Sequence, residues 1–347
     1  MRVYWKVVVG VSITAFLLWW ILRDVPFDEV WTQIRQAHLG LLFAAVTVAT
    51  AGLLIRALRW KVLLQPVRAD TSLRNRFAAV NIGFMANNLL PARVGEFARA
   101  YALSKVEAVS IPAAFGTLVV ERILDALVLM GILLATILSP SFPSSARLSG
   151  GPLGAALTAV IALLLVLVVI ITLLLAIPRT VVHVVERLAI ALPGDLARPV
   201  VTALEAFLGS LKVFRSPKLL FLGIIWSVVF WLWHGLSFWL GMLAFDIHAG
   251  PVAAYFTEAV VGFGVAIPAA PGFFGTFHAS ASWALSVFDV PAPSSLAFAF
   301  GYHLGGFIPV TVIGLYYASR IGLSLKDVGD SETRVGEAVE RQHPEGR

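Results

Sequence analysis

The 347-residue sequence predicts an all-α polytopic membrane protein, built as an inverted-topology repeat with two re-entrant or broken-helix hairpins. Three observations carry that expectation. The composition is 59% hydrophobic and 13% charged, with a mean hydropathy of +0.87, which excludes a soluble globular protein. Uncharged runs at 7–22, 39–55, 126–138, 153–177, 219–245 and 295–318 mostly reach or approach the roughly 20 residues that cross about 30 Å of hydrocarbon. Two shorter apolar stretches, NNLLPARVGEFARA at 87–100 and AIPAAPGFFGTFHAS at 266–280, are broken in the same way. Pro91 precedes Gly95 and Phe97 as Pro271 precedes Gly275 and Phe277, and a Gly-Phe pair stands upstream of each. Matched interruptions in two halves of a membrane protein are a sequence pointer to a carrier's binding site.

The first run follows Arg2 and Lys6 but ends in Trp19-Trp20-Ile21-Leu22-Arg23 without a small-residue cleavage site, so it is expected to be a retained anchor. Lys and Arg gather at 2–6, 56–76, 179–218 and 320–347, while 139–152 holds only Arg147 and 246–251 and 289–294 hold none. The positive-inside rule makes the rich segments, and both termini, cytoplasmic. Run 7–22 then goes out and 39–55 returns. The segment from Ala113 to Leu138 goes out again, so 77–103 between them must enter and leave on one side. In the second half 153–177, 219–245 and 295–318 repeat this order upside down, with 252–288 returning to the outer side.

Each first span is followed by amphipathic segments, 27–39 outside and 179–192 plus 196–214 inside, which read as interfacial helices or as connectors packed on the protein. Residues 1–322 thus form one transmembrane domain of half-repeats 1–150 and 151–322. The tail 323–347 is polar, lacks periodicity and is expected to be disordered.

Non-helical backbone at membrane depth must be buried in protein or line a polar cavity. A half-helix starting after Pro91 would aim its amides at such a cavity and favour a phosphate, with Arg93 and Arg99 adding charge. Both arginines also read as ordinary cytoplasmic surface residues, Arg93 less so because it lies inside the turn. Glu96 is either a partner for the helix dipole or a ligand for a cationic head group or a proton. Asn87 and Asn88 are placed to cap the broken helix or to bond ligand oxygens.

Glu121, Arg122 and Asp125 lie about 12 Å along their helix. Glu121 and Asp125 share a face, so the set is either a functional site or a structural ion pair facing the first hairpin. Glu258, alone in the second hairpin, is a candidate proton-carrying or gating carboxylate, or a buried neutral acid. His234, His278 and His303 lack ligand spacing and are expected to be core residues, with no metal site and no cofactor. The ten Trp fit interfacial belts. No cysteine is present, no catalytic motif appears, and no basic soluble domain offers a surface to nucleic acid.

The stretches NNLLPARVGEFARAYAL, ERILD and PAAPGFFGTF resemble the flippase-like transmembrane family typified by the N-terminal region of lysylphosphatidylglycerol synthase, over roughly residues 5–322. By position, the resemblance points to Pro91, Arg93, Gly95, Glu96, Arg99, Glu121, Arg122, Asp125, Pro271, Gly272 and Gly275 as substrate-binding, and Asn88 and Glu258 join them from their own chemistry. It implies a bacterial inner-membrane flippase for a lipid with an anionic or zwitterionic head group, acting as a homo-oligomer or beside a lipid-biosynthetic partner. The sequence given holds no aminoacyl-transferase domain, so synthase activity is not expected of it. The alternative is a membrane enzyme or enzyme subunit acting on a lipid-linked intermediate.

Overall fold

A computed structural model describes residues 2–143, 216–266 and 270–341, with six isolated helical positions between 158 and 169. The described residues are all helical or turn. In order they form α1 Arg2–Leu22, α2 Phe27–Gln36, α3 Leu39–Leu64, α4 Leu73–Leu89, α5 Gly95–Val106 and α6 Ile111–Leu138. After the undescribed stretch come α7 Pro217–Ala244, α8 Gly250–Gly264, α9 Thr276–Ser286, α10 Ala292–Arg320, α11 Leu325–Gly329 and α12 Ser331–Arg341.

Three of these, α3, α7 and α10, are long and apolar enough to cross a membrane. The bent pair α1 and α2, turned by 89° at its break, provides a fourth candidate. With 28 residues α6 is as long as α7, but carries three charges in its middle turns. The chain is a multi-pass membrane protein. The expected span 153–177 and the amphipathic segments 179–192 and 196–214 lie outside the described residues apart from the isolated positions.

The two broken segments are helix–turn–helix units. Pro91–Arg93 forms a single 3₁₀ turn between α4 and α5, and Pro271–Phe273 forms one between α8 and α9. Proline fixes φ and carries no N–H, so it opens such a turn at little cost. Glycine closes each unit. A Cβ on Gly95 would overlap the Gly83 carbonyl and the Asn87 side chain, and one on Gly264 would overlap the Ser280 hydroxyl, so the two arms of each hairpin touch only because these positions are bare.

Packing pairs the elements across the halves. α3 lies along α7, α3 packs on α4 as α7 packs on α8, and α5 packs on α6 as α9 packs on α10. α10 lies against α4, while α6 lies against α8. The amphipathic segment after α1 is the short helix α2, which buries Val30 and packs on α10.

Two expectations are corrected. The basic stretch expected as a loop from residue 56 continues as α3 to Leu64, and its Arg56 and Arg59 are buried inside the bundle. The polar tail expected to be disordered is helical to Arg341. Ser324 caps α11 by accepting from the Asp327 amide, Val328 and Val335 are buried, and α12 packs on α5 and α6 with Arg334 over the Tyr101 ring.

Candidate functional site

The helical pitch creates the central feature. On α6 Glu121 and Asp125 are one turn apart, and on α3 Arg56 and Arg59 are three residues apart, so a two-carboxylate face meets a two-guanidinium face. Arg56 Nη1 donates to Glu121 Oε1 at 3.2 Å and to Asp125 Oδ2 at 3.3 Å, and Arg59 donates to Asp125 Oδ1 and sits 3.0 Å from Glu121 Oε1. From α5, Arg99 closes a two-pronged pair on Glu121, at 2.8 and 2.9 Å. Arg122 Nη2 reaches Glu121 Oε1 at 2.7 Å and Asp125 Oδ2 at 3.1 Å. Second-layer groups fix the acids and guanidiniums. Trp231 Nε1 donates to Asp125 Oδ1, Arg59 donates to the Ser227 hydroxyl, and Arg99 stacks over Trp60 at 4.0 Å.

Glu121, Asp125, Arg56, Arg59 and Arg99 are all buried; Arg122 alone keeps 40% of its side chain exposed. Four guanidiniums surround two carboxylates, so the cluster carries two positive charges in excess. In a low-dielectric interior such an excess is costly and attracts an anion.

Beside this cluster opens a cavity of about 530 Å³, lined largely by apolar and aromatic side chains. Six of the residues expected at the site face it: Asn88, Arg93, Glu96, Arg122, Asp125 and Glu258. The others do not. Arg99 and Glu121 form the brace behind the wall, and Pro91, Gly95, Pro271, Gly272 and Gly275 shape the turns that bound it.

Arg93 sits in the first turn with a left-handed φ of 54°, and its Nη1 donates to the Ala266 carbonyl of the second hairpin at 2.7 Å. The first amide of α5 is already engaged, since Gly95 N donates to Asn87 Oδ1 at 2.8 Å; Asn87 is the cap of the broken helix. Asn88 ties α4 to α10 through the Thr311 hydroxyl at 2.9 Å. On the opposite side α1 holds the second turn. Thr14 Oγ1 donates to the Phe274 carbonyl at 2.8 Å and accepts from the Ala270 amide at 3.0 Å.

Sequence reasoning missed several groups of the ion cluster and of the cavity wall. Arg56 was hidden in a basic run, although its place after Leu53-Leu54-Ile55 and its three-residue spacing to Arg59 are the signal that could have found it. Trp60 and Trp231 are buried hydrogen-bond donors rather than belt residues, with Trp60 Nε1 donating to Thr117 Oγ1 at 2.9 Å. The three histidines sit on three helices, with His278 fully buried as expected of a core residue. His234 Nδ1 lies 2.9 Å from Glu258 Oε1, and the His278 and His303 rings are 5.1 Å apart.

The family model described as the lysylphosphatidylglycerol synthase TM region matches residues 7–314. The chain belongs to that family. The matched span takes in both hairpins, the arginine–carboxylate cluster and every cavity-lining residue named above.

Within curated proteins, this family member is 28% identical over 128 residues to a UPF0104 membrane protein of Pyrococcus horikoshii, covering 36% of this chain and 37% of that one. It is 30% identical over 107 residues to a UPF0104 membrane protein of Methanocaldococcus jannaschii, covering 30% and 32%. It is also 25% identical over 126 residues to the glycosyltransferase AglD of Haloferax volcanii, covering 36% of this chain and 20% of that protein. The chain therefore spans about a third or less of the length of these curated relatives. They are archaeal, and the expected bacterial inner membrane does not follow from them. No solved structure matches.

Proposed function

We propose that the protein moves a phosphate-bearing polar lipid between the leaflets of its membrane, with the cavity between the two hairpin turns as the head-group site. One observation carries the reading: two Pro-Gly turns, one from each half, bound a single cavity in which Arg56, Arg93 and Arg122 stand among apolar walls. Arg122 and Arg93 bind the phosphate, Asn88 orients it, Glu96 faces the cationic part of a zwitterionic head group, and Glu121, Asp125 and Arg99 hold the guanidiniums in place. The apolar lining accommodates the glycerol and the first acyl carbons.

The paired packing of the two halves supports an inverted repeat, in which α3 corresponds to α7, the first hairpin to the second, and α6 to α10. Such symmetry gives a carrier two alternating forms. The lysine and arginine distribution supports a plasma-membrane protein with both termini cytoplasmic. In this reading the protein is a transporter and not an enzyme.

Removing Arg93 or Arg122 deletes a charge-assisted hydrogen bond of about 1.5–3 kcal/mol, which weakens phosphate binding roughly tenfold or more. In proteoliposomes with head-group-labelled phosphatidylglycerol and phosphatidic acid, Arg93→Ala and Arg122→Ala should slow movement between leaflets, leaving a neutral analogue at its background rate. Wild-type rates in both variants would overturn the assignment.

A second reading, an enzyme or enzyme subunit acting on a lipid-linked intermediate, is favoured by the partial similarity to the glycosyltransferase AglD. It requires consumption of an added lipid donor by the purified protein, whereas the transporter leaves every lipid chemically unchanged.

A further inference from the structure

His234 of α7 and His303 of α10 line the same cavity as Arg56, Arg93 and Arg122, and the rings that join them are aromatic. His234 packs on Phe238 at 5.4 Å between ring centres, Phe238 on Phe277 at 6.2 Å, and Phe277 stacks on His303 at 4.4 Å. The two imidazoles are thus the polar ends of one aromatic strip in the cavity wall.

Their hydrogens are assigned from their partners. His234 Nδ1 lies 2.9 Å from Glu258 Oε1, and Glu258 is 1% exposed, with no partner for Oε2 among the described residues. Burial with a bare oxygen favours the neutral acid, and an imidazole packed against Phe230, Trp231 and Phe238 is neutral for the same reason. Were Nδ1 the donor of this contact, the hydrogen of the acid would sit on Oε2 as a bare buried donor; a bare carbonyl-like acceptor there is tolerated better. Oε1 therefore carries the hydrogen and donates to Nδ1, which fixes the hydrogen of His234 on Nε2. Oε2 lies against α7, 2.6 Å from where a Cβ on Gly235 would stand, so Glu258 acts through His234 as a positioning residue.

His234 keeps 27% of its side chain exposed, and Nε2–H is the donor it has left for a ligand. His303 is its converse. The Gly272 carbonyl takes the hydrogen bond of one ring nitrogen, so Nδ1, which has no partner among the described residues, is an acceptor.

We propose that this strip is a polyol subsite: the head group carries hydroxyls beyond its phosphate, with His234 Nε2–H donating to a hydroxyl oxygen, His303 Nδ1 accepting from a hydroxyl hydrogen, and the carbon skeleton lying on Phe238 and Phe277. The inference rests on the head-group reading above and names the chemistry of that head group. A hydroxyl both donates and accepts, so a polyol satisfies the two histidines together, whereas an ammonium only donates and a phosphoryl oxygen only accepts. A site built to bond a hydroxyl discriminates against the analogue that lacks it, because its own polar groups are then left unpaired.

The test uses the full chain purified in detergent, with binding read from tryptophan fluorescence, since Trp231 lines the cavity. Dihexanoyl phosphatidylglycerol is compared with dihexanoyl phosphatidylpropanol, which has the same charge and carbon skeleton and lacks only the hydroxyls; the readout is the ratio of the two affinities. Glycerol phosphate in parallel separates lipid from free phosphate.

Wild type should favour phosphatidylglycerol roughly tenfold, the worth of one or two neutral hydrogen bonds. His234→Phe keeps an aromatic ring and should bring the ratio close to one, whatever its absolute affinity. Glu258→Gln should keep the preference, because its amide donates to Nδ1 as the acid does, whereas Glu258→Met should reduce it. Equal affinities in wild type, or a preference kept by His234→Phe, overturn the polyol subsite and leave the head-group reading standing. Binding of neither lipid overturns the head-group reading itself, as does glycerol phosphate binding as tightly as phosphatidylglycerol, and the subsite falls with it. Should His234→Phe fail to fold, the pair at Glu258 carries the decision: the same ratio in Glu258→Gln and Glu258→Met overturns the proposal.

Discussion

Arg93 and Phe273 occupy the same place in the two hairpin turns, two residues after Pro91 and Pro271, and the guanidinium of one lies 5.4 Å from the ring centre of the other. Both have left-handed backbone, with φ of 54° and 60°. A side-chain-bearing residue holds that conformation at a cost of order 1–3 kcal/mol, and does so where the surroundings over-determine it. The contact joins the tips of the two hairpins, and Arg93 adds a hydrogen bond to Ala266.

A carrier that opens alternately must part these tips. The chain has no cysteine, so Arg93→Cys combined with Phe273→Cys can be bridged by a short bifunctional thiol reagent without background. Bridged protein in proteoliposomes should lose the slowed lipid movement that the unbridged Arg93→Cys, Phe273→Cys protein retains, and recover that slowed rate on reduction. Unimpaired movement in fully bridged protein would show that the turns stay together during transport.

The two halves of the ion cluster should respond differently to mutation. Glu121 receives four guanidiniums in a fully buried setting, so Glu121→Gln leaves them facing one carboxylate and should destabilise the fold by about 3–5 kcal/mol. Arg122 is partly open to the cavity, and Glu121 keeps three partners without it. Heat denaturation in detergent should show Arg122→Ala unfolding near wild type and Glu121→Gln far below it. Equal losses would make Arg122 a brace rather than a ligand group.

These residues mark how far the sequence could be read. The hairpins were legible because Pro at the turn and Gly four residues on are demands of backbone geometry, visible without neighbours. Glu121, Arg122 and Asp125 were legible because charges inside an apolar helix are expensive and need a reason. Arg56 and Arg59 were not, since at the end of an apolar run a basic residue signals membrane topology as readily as it supplies a buried partner, and only the packing of α3 against α6 decides. The same ambiguity hid His234, whose partner Glu258 lies 24 residues away on another helix. The tail helix was missed because its few apolar contacts gain meaning only from the surface of α5 and α6 that they cover.

Glycine at position 95 should be irreplaceable, while glycine at position 131 should not. A methyl group at position 95 overlaps the Gly83 carbonyl and the Asn87 side chain, forcing the arms apart. Such overpacking costs about 1–3 kcal/mol. Gly131, in the body of α6, has nothing within 4 Å of an added methyl, so Gly131→Ala should be neutral or stabilising by up to about 1 kcal/mol. Thermal midpoints measured side by side will separate the two, and a tolerated Gly95→Ala would mean that the hairpin arms do not pack as closely as 83 and 95 require.

Topology supplies the last test. Ser110 and Pro291 are both exposed, and each stands immediately before the long helix that follows its hairpin, α6 and α10 respectively. If the halves are related by an axis in the membrane plane, these matched positions lie on opposite faces, with Ser110 on the side of the basic 56–76 segment. A membrane-impermeant maleimide should therefore label Pro291→Cys in intact cells and Ser110→Cys only in inverted vesicles. Labelling of both from the same side would turn the repeat from inverted to parallel. The two hairpins would then enter from one face, and a cavity between their tips could not be presented to the two leaflets in turn.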